Sequence, residues 1–481
     1  MSEGPVIVWL RQDLRLADHP ALSAASRGGR PVIPLYVLDD ATPGQWRRGG
    51  ASRWWLGTSL PRLAASLEKL GSRLVVREGP ALDAVASVAR EVGASAVYFT
   101  RCYEPWSPAL EGALKETLGG DGLDVRRFGG SLIVEPDAVR TGAGGPYKVY
   151  SPFARAVMAL PEPRAPLPAP ESLIAPTVWP PSAPIADLGL LPTKPDWAGD
   201  MREAWQPGEA GAAARLGAFV DGPIARYKDL RDRPDVVGTS RLSPHLHFGE
   251  VSPLTCWHAA RTADVSGKAG EASMLKFLKE LLWREFSYHL LHHFPTLPSE
   301  PFRPEFSAFP WHDEPAAFAA WKKGRTGYPI VDAGLRELWA TGYMHNRVRM
   351  IAASFLVKDL LVPWQQGEAW FWDTLVDADL ANNAASWQWV AGCGADAAPY
   401  FRIFNPVKQG QTFDPEGTYV RRWVPEISAL PADAIHAPWE APPAVLAAAG
   451  VRLGDTYPHP IVDHRMARDR ALEAFAAIKR D

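Results

Sequence analysis

The first 135 residues alternate between short apolar runs and amphipathic stretches. Runs such as Val6–Leu10 are typical of strands buried on both faces of a parallel sheet, and similar runs lie at residues 31–38, 73–77 and 95–101. Between them, leucine and valine recur at three- and four-residue spacing in residues 59–70 and 81–92, which predicts amphipathic helices. Strands alternating with helices predict a doubly wound α/β domain over residues 1–135.

A different pattern follows. Residues 159–200 contain 11 prolines, which exclude a helix interior or a central strand and predict an extended linker over residues 136–205. From there to residue 481 the helical period dominates and strand patterns are nearly missing, which predicts an all-α second domain over residues 206–481. Its clearest predicted helices span residues 274–293, 328–341, 347–361 and 368–380.

Composition narrows the class of protein. The chain has 481 residues, 47% hydrophobic and 22% charged, which is an ordinary globular balance. A net charge of −3 excludes a globally basic nucleic-acid binder but permits a local basic patch. The three cysteines are far apart, without disulfide or zinc spacing, and neither a signal peptide nor a long apolar segment is evident. We therefore expect a cytoplasmic protein that does not enter membranes.

Three polar segments are candidates for chemistry. Residues 238–243 place hydroxyl side chains before a predicted helix, which fits either an anion site or an ordinary helix cap. Residues 343–350 contain Arg347 and Arg349, which lie two apart and so point to different faces of a helix. One can reach a phosphate while the other pairs internally, or the segment is a solvated basic turn. Residues 377–383 read Asp-x-Asp followed by two asparagines, which fits a metal site or pairing with arginine.

Other residues are ambiguous by themselves. The 20 tryptophans are most simply core residues, although a cluster of them can stack on bases or relay electrons. His289, His292 and His293 have helical spacing for a metal, but no further ligand accompanies them and we predict none. The chain has no Gly-x-Gly-x-x-Gly after its first strand, no P-loop and no nucleophile elbow.

In their order and spacing, these segments resemble the DNA photolyase and cryptochrome family nearly from end to end. The matching blocks are Trp9–Asp18, Gly238–Ser243, Glu280–Phe286, Thr326–Asp332, Gly342–Met350, Ala352–Leu361, Asp377–Trp389 and Asp396–Pro406. The resemblance implies an α/β antenna-binding domain joined by a long linker to a helical catalytic domain that binds FAD and DNA.

The resemblance also implies how FAD is held. Hydroxyl residues near position 240 hold its phosphates, Asn383 faces the flavin N5, and Arg349 pairs with Asp377 beside the ring. The residues assigned to FAD are Tyr227, Thr239, Ser240, Leu242, Ser243, Arg284, Asn346, Arg349, Asp377, Asp379 and Asn383.

The implied reaction is light-driven repair of cyclobutane pyrimidine dimers in UV-damaged DNA, by a carbon–carbon lyase that flips the dimer out of the duplex. Glu280 and Asn383 are the implied catalytic residues, and Trp311, Trp364 and Trp387 the implied electron relay. The residues assigned to the dimer and to DNA phosphates are Arg231, Glu280, Trp283, Asn346, Arg347, Met350, Trp389 and Arg402. A few arginines suffice because phosphate contacts give affinity without sequence readout.

Two alternatives remain at this stage. A blue-light cryptochrome without repair activity shares FAD and the relay, but plant-type cryptochromes usually have Asp at the position of Asn383. Enzymes that repair the other major lesion, the (6-4) photoproduct, carry histidines where this chain has Asn346 and Met350, so these two residues favour cyclobutane dimers. A plain FAD oxidoreductase is disfavoured by the missing dinucleotide fingerprint. We expect a monomer without an obligate protein partner.

The antenna chromophore is the least specified feature. The folate pattern of some family members is not reproduced at residues 103–107 and 297–300. Residues 145–152 resemble a bacterial branch that binds folate at a different site. Methenyltetrahydrofolate is therefore the leading antenna prediction, with 8-hydroxy-deazaflavin as the alternative.

Overall fold

The computed structural model describes residues 4–478, and within them five strands form one fully parallel sheet. The strands are β1 Val6–Leu10, β2 Val32–Leu38, β3 Val75–Glu78, β4 Ala96–Thr100 and β5 Asp124–Phe128. Their order in the sheet is β3-β2-β1-β4-β5. The order reverses beside β1, as in doubly wound folds, so the predicted α/β class is confirmed.

Twenty α-helices accompany the sheet within the described residues. They are α1 Pro20–Ser26, α2 Gly50–Lys69, α3 Ala81–Glu91, α4 Ser107–Gly120, α5 Tyr150–Met158, α6 Gly199–Ala204, α7 Glu209–Asp221, α8 Tyr227–Leu230, α9 Ser243–His247, α10 Pro253–Val265, α11 Glu271–His293, α12 Pro315–Lys322, α13 Pro329–Thr341, α14 Asn346–Ser354, α15 Trp364–Thr374, α16 Leu380–Ala391, α17 Pro406–Phe413, α18 Thr418–Trp423, α19 Pro443–Ala448 and α20 His464–Ala477. None of the described helices is long and apolar enough to cross a membrane.

The chain forms two compact units. The first unit comprises residues 1–225, 240–295 and 376–378, and the second comprises residues 226–239, 296–375 and 379–481. In the first unit, β1 is buried along its whole length, and one core cluster joins the sheet to α3 and α4. The second unit is helical, and its fully buried side chains include Trp321, Trp364 and Trp387.

The sequence patterns missed one strand. β5 reads Asp-Val-Arg-Arg-Phe and lies at an edge of the sheet, where its side chains are exposed or half-buried. An edge strand has one neighbour and less apolar surface to cover, so its sequence lacks the continuous apolar run of β1.

The predicted helix over residues 368–380 was wrong in its bounds. The helical pattern over residues 368–380 is split in the structure, because α15 ends at Thr374 and α16 begins at Leu380. Asp379 explains the new start, since its Oδ1 accepts a hydrogen bond from the backbone amide of Asn382 at 2.8 Å. A side chain that caps a helix in this way favours a helix start over a helix interior.

The proline-rich segment has little regular structure. Between α5 and α6, the described chain contains one short 3-10 turn, Ile185–Leu188, and neither an α-helix nor a strand. This agrees with what its prolines predict. The predicted boundaries at residues 135 and 205 remain a prediction.

Candidate functional site

In the first unit, α11 carries three of the predicted site residues, Glu280, Trp283 and Arg284. Trp283 lies flat against Tyr150 of α5, with ring centroids 3.6 Å apart and planes 6° from parallel. The Tyr150 hydroxyl donates to the carbonyl oxygen of Lys279 at 2.6 Å, which fixes the stack to the helix. One face of the indole is therefore backed by a rigid ring. Trp283 is partly exposed, which leaves an apolar surface for another planar group.

Glu280 lies one turn before Trp283 on the same helix. Its Oε1 is 2.9 Å from the ammonium of Lys276, an i,i+4 pair that is partly exposed. Such a pair holds the carboxylate in place at little cost in free energy, because both groups still reach water. Glu280 and Trp283 are three residues apart, so they share one side of α11.

Arg284 and Glu285 fasten α11 to the segment after β5. Arg284 Nη1 donates to the carbonyl oxygen of Ser131 at 2.9 Å, and Glu285 Oε2 accepts from the amide of Ile133 at 2.8 Å. Burial raises the pKa of Glu285 to about 7, although Arg284 and these amides oppose the rise. The helix that presents Glu280 and Trp283 is thus anchored over its following turn.

The predicted phosphate segment begins with a close backbone contact in the second unit. A Cβ on Gly238 would lie 2.6 Å from the carbonyl oxygen of Leu230, so only glycine permits this approach. Farther along, Arg241 has a φ of +49°, an unusual left-handed conformation outside glycine. Thr239 and Ser240 are half-buried, Ser243 is exposed, and Leu242 is buried. Their predicted contacts to FAD phosphates remain a prediction.

In the second unit, Asn383 on α16 is held by α15. Its Nδ2 donates to the carbonyl oxygen of Glu368 at 3.0 Å. This bond assigns the amide orientation and leaves the Asn383 side-chain oxygen as an acceptor. A buried acceptor at this position fits a cofactor atom that carries a hydrogen, such as N5 of a reduced flavin.

Glu368 is a site residue that the sequence prediction missed. Its side chain is buried, and neither carboxyl oxygen has a hydrogen-bond partner among the described residues. Burial raises its pKa well above the usual value, which favours the neutral acid. An unpaired polar group this deep costs free energy unless something bonds to it, which fits a polar cofactor beside Asn383. The available signal was a glutamate among Trp364, Gly367 and Phe371, on the apolar face of α15.

The three predicted relay tryptophans differ in burial. Trp387 and Trp364 are fully buried, and Trp311 is half-buried. Trp387 packs edge-on against Phe371, with centroids 5.0 Å apart, and against Trp321 at 6.3 Å. This gradient of burial is compatible with an electron path between the inside of the unit and its surface. It is equally what core packing produces, so the relay itself remains a prediction.

Predicted DNA-contacting residues gather around one carboxylate in the second unit. Arg347 Nη2 lies 3.1 Å and Arg231 Nη1 3.6 Å from Asp232 Oδ1. His345 is buried beside them, and burial, together with these guanidinium groups, lowers its pKa to about 4, so it adds no charge at pH 7. Asp232 and His345 were not predicted, and they hold two phosphate-binding candidates in one place.

The remaining predicted residues are placed as follows. Asn346 and Met350 share one face of α14, with Asn346 Nδ2 3.9 Å from Met350 Sδ. Arg349 donates to the carbonyl oxygen of Met344 at 2.7 Å, and its predicted pairing with Asp377 stays a prediction. Asp379 is buried and caps α16 through the amide of Asn382. Tyr227 and Asp377 are also buried, Trp389 is half-buried and Arg402 is exposed.

One group of possible metal ligands occurs within the described residues. Ligand atoms of Asp137, His292 and His293 lie within 4.8 Å of one another in the first unit. Asp137 already contacts the guanidinium groups of Arg101 at 3.1 Å and Arg140 at 3.4 Å. Two neighbouring cations oppose a third, so this cluster gives a metal little electrostatic advantage. The prediction of no metal is not tested by it.

Known proteins match this chain over its whole length. Residues 6–171 match the family model "DNA photolyase", and residues 277–477 match "FAD binding domain of DNA photolyase". A deoxyribodipyrimidine photo-lyase of Agrobacterium fabrum is 53% identical over 100% of this chain and 99% of its own. Cryptochrome-1 of Arabidopsis thaliana is 41% identical over 99% of this chain and 70% of its own. The crystal structure of a bacterial class III photolyase from Agrobacterium tumefaciens superimposes with a TM-score of 0.97 at 52% identity, covering 100% of this chain and 99% of that one.

Proposed function

Since this chain belongs to the DNA photolyase family, we propose that it is a deoxyribodipyrimidine photo-lyase, an FAD enzyme that uses light to split cyclobutane pyrimidine dimers in DNA. Reduced FAD supplies the photoexcited electron for this reaction. The observation that carries the substrate assignment is the backing of Trp283 by Tyr150, because it prepares an indole face for the uncharged pyrimidine dimer.

In the first unit, Glu280 and Trp283 are the proposed contacts to the flipped dimer. The indole supplies apolar area, and the carboxylate accepts hydrogen bonds from the N–H groups of the base edges. Lys276 keeps Glu280 oriented before the dimer arrives. A preorganised acceptor of this kind loses less conformational entropy on binding than a mobile one does.

In the second unit, Asn346, Met350 and Trp389 are the further proposed dimer contacts. Asn346 is exposed while Met350 is half-buried, so a polar and an apolar side chain face the same side of α14. This mixed surface suits a pyrimidine dimer, which has carbonyl and methyl groups. Arg231 and Arg347 are the proposed phosphate contacts, and Asp232 holds them ready without neutralising both charges.

FAD fits the side chains around α15 and α16. Asn383 offers its amide oxygen as an acceptor, and Glu368 offers a carboxyl group whose neutral, donating form is favoured by burial. An amide and a protonated acid add no negative charge beside an electron-rich ring. Trp387, Trp364 and Trp311 are the proposed residues that move an electron from the surface toward the cofactor.

A folate antenna is proposed at a pair of tryptophans in the second unit, rather than in the α/β domain that the resemblance implies. Trp339 is 65% exposed and lies parallel to Trp370, with ring centroids 5.8 Å apart and planes at 3°. Two such rings can accept a planar pterin between them if they separate to about 7 Å, roughly twice one van der Waals contact distance. Trp339→Ala is expected to remove antenna absorbance while FAD absorbance stays, whereas Trp197→Ala, also at an exposed indole, leaves both. If the antenna were instead 8-hydroxy-deazaflavin, its extracted spectrum would identify it.

The decisive experiment is repair of a thymine-dimer oligonucleotide. Purified protein, reduced in the dark, is mixed with the oligonucleotide and illuminated with blue light, and absorbance near 260 nm reports the restored thymines. Recovery that needs light is the expected result. Flavin that photoreduces without any recovery would favour the cryptochrome function shared with the Arabidopsis relative.

A further inference from the structure

Lys358 is a buried ammonium group outside the proposed contacts. It lies just after α14, where the helix widens into a π turn: the amide of Leu360 donates to the carbonyl oxygen of Phe355, five residues back, at 3.0 Å. The widened turn directs both Lys358 and Asp359 inward, and their exposures are 1% and 0%. Single π turns inside helices occur frequently at functional sites.

The ammonium holds the loop between α16 and α17. Lys358 Nζ donates to the carbonyl oxygens of Tyr400 at 3.3 Å and Arg402 at 3.1 Å. It also lies 4.9 Å from the centre of the Tyr400 ring. A single charge thus gathers two backbone carbonyls that are two residues apart.

Between those carbonyls the loop makes a tight turn. The amide of Arg402 donates to the carbonyl oxygen of Pro399 at 2.8 Å, and the amide of Ile403 donates to that of Phe401 at 3.0 Å. Phe401 is 69% exposed at the tip and Arg402 is exposed beside it. The buried end of the turn rests on Lys358, and the exposed end presents an aromatic ring and a guanidinium group.

This arrangement costs the fold stability. Burial lowers the pKa of Lys358 to about 8, with Asp359 and then Cys393 opposing the shift. Asp359 is itself held by His464 Nδ1 at 2.5 Å, and burial raises its pKa to about 6; Cys393 and Tyr400 are neutral because burial raises their pKa values. An apolar side chain of the same length would fill the space without that cost. Packing alone therefore does not account for a lysine here.

We propose that Lys358 is a positioning residue for DNA binding, whose ammonium sets the height and direction of the Phe401–Arg402 turn so that Arg402 reaches a phosphate. This inference rests on the proposed function. Lys358 itself touches no substrate, and it acts through the two carbonyls that it holds.

The test uses FAD-loaded protein and a fluorescent thymine-dimer oligonucleotide in the dark. Lys358→Met is expected to raise the dissociation constant about tenfold, the scale of one charge-assisted contact, while FAD absorbance is kept. Its midpoint of urea unfolding is expected to stay or rise, since the buried charge is gone. Lys323→Met, at an exposed lysine of the same unit, is the control for loss of one charge and should bind like the wild type.

A double-mutant cycle then separates positioning from general damage. In an Arg402→Ala background, Lys358→Met should add little, because the side chain that the turn presents is already missing. Additive losses, or a Lys358→Met protein that binds like the wild type, would overturn the inference. A fall in FAD content or unfolding midpoint in both Lys358→Met and Lys358→Gln would do the same, as it assigns Lys358 to folding. A wild type that binds no dimer DNA overturns the proposed function first.

The pH profile adds an independent readout. As pH rises through about 8, Lys358 loses its proton and its bonds to both carbonyls weaken. Wild-type affinity should therefore contain a decline through that range that Lys358→Met lacks. Parallel profiles for the two proteins would count against the proposed role.

Discussion

Side chains of the proposed site are oriented by neighbouring residues. Tyr150 backs Trp283, Lys276 holds Glu280, and the carbonyl oxygen of Glu368 turns the Asn383 amide. Each neighbour removes a rotational freedom that binding would otherwise have to remove. Each proposed site residue therefore acts together with a neighbour that orients it, and the sequence motifs identified only the site residue.

Glu280 provides the test at this scale. Glu280→Ala should weaken binding of dimer-containing DNA about 2- to 12-fold, the range expected for losing one hydrogen bond to the bases. Glu280→Gln keeps an acceptor and should lie between the alanine variant and the wild type. The measurement is repair yield per absorbed photon together with dark affinity, at equal FAD content. Equal yields in all three proteins would remove Glu280 from the catalytic residues.

Helices in the second unit meet through glycines as well as through large aromatic rings. Gly367 on α15 packs against Trp387 on α16, and a Cβ there would lie 2.6 Å from Trp387 Cζ3 and 2.7 Å from Leu356 Cδ2. These distances are shorter than any ordinary contact, so the small residue decides how closely the helices approach. The position of Trp387 is thus a property of the helix pair.

Gly367→Ala should therefore destabilise the protein by about 1–3 kcal/mol, because overpacking forces the ring or the backbone to move. Gly217→Ala, inside α7 with nothing within 4 Å of the new Cβ, should instead gain roughly 0.5–1 kcal/mol from the helical preference of alanine. Thermal melting of both variants gives the two signs. A displaced indole should also slow flavin photoreduction in Gly367→Ala, and an unchanged rate together with an unchanged melting temperature would contradict the packing argument.

For the whole molecule, net charge is a poor guide to its partner. The chain carries −3 overall, yet Arg231 and Arg347 stand together beside Asp232, and Arg402 is exposed on its own turn. Affinity for DNA depends on the local charges that displace counterions from phosphates, while distant acidic groups are screened by salt. DNA binding by a slightly acidic protein is consistent with this distribution.

Salt dependence provides the whole-molecule test. Arg347→Ala should reduce the slope of log affinity against log salt by about 0.7–0.9, as expected for one lost phosphate contact. Arg126→Ala removes the same charge from the edge strand β5, where that arginine pairs with Asp124 at 2.7 Å, and should leave the slope unchanged. Binding would be measured by fluorescence anisotropy at several salt concentrations. A slope change of similar size in both variants would mean that total charge, rather than the site, governs affinity.

From the sequence by itself came the α/β and all-α classes, the family, FAD and the reaction. Buried strands such as β1 can be predicted from continuous apolar runs, and a family can be identified from ordered motifs, because runs and motifs are both local in the chain. The edge strand β5 and the break between α15 and α16 were missed or misplaced, since each depends on a neighbouring strand or a capping side chain as well as on local pattern. Tertiary structure alone decided that Tyr150 backs Trp283, that Asp232 gathers two arginines, and that Lys358 supports the Arg402 turn. Apart from the neighbours Arg231 and Asp232, these contacts join residues 42 to 133 positions apart in the chain, and only folding brings such residues within reach of one another.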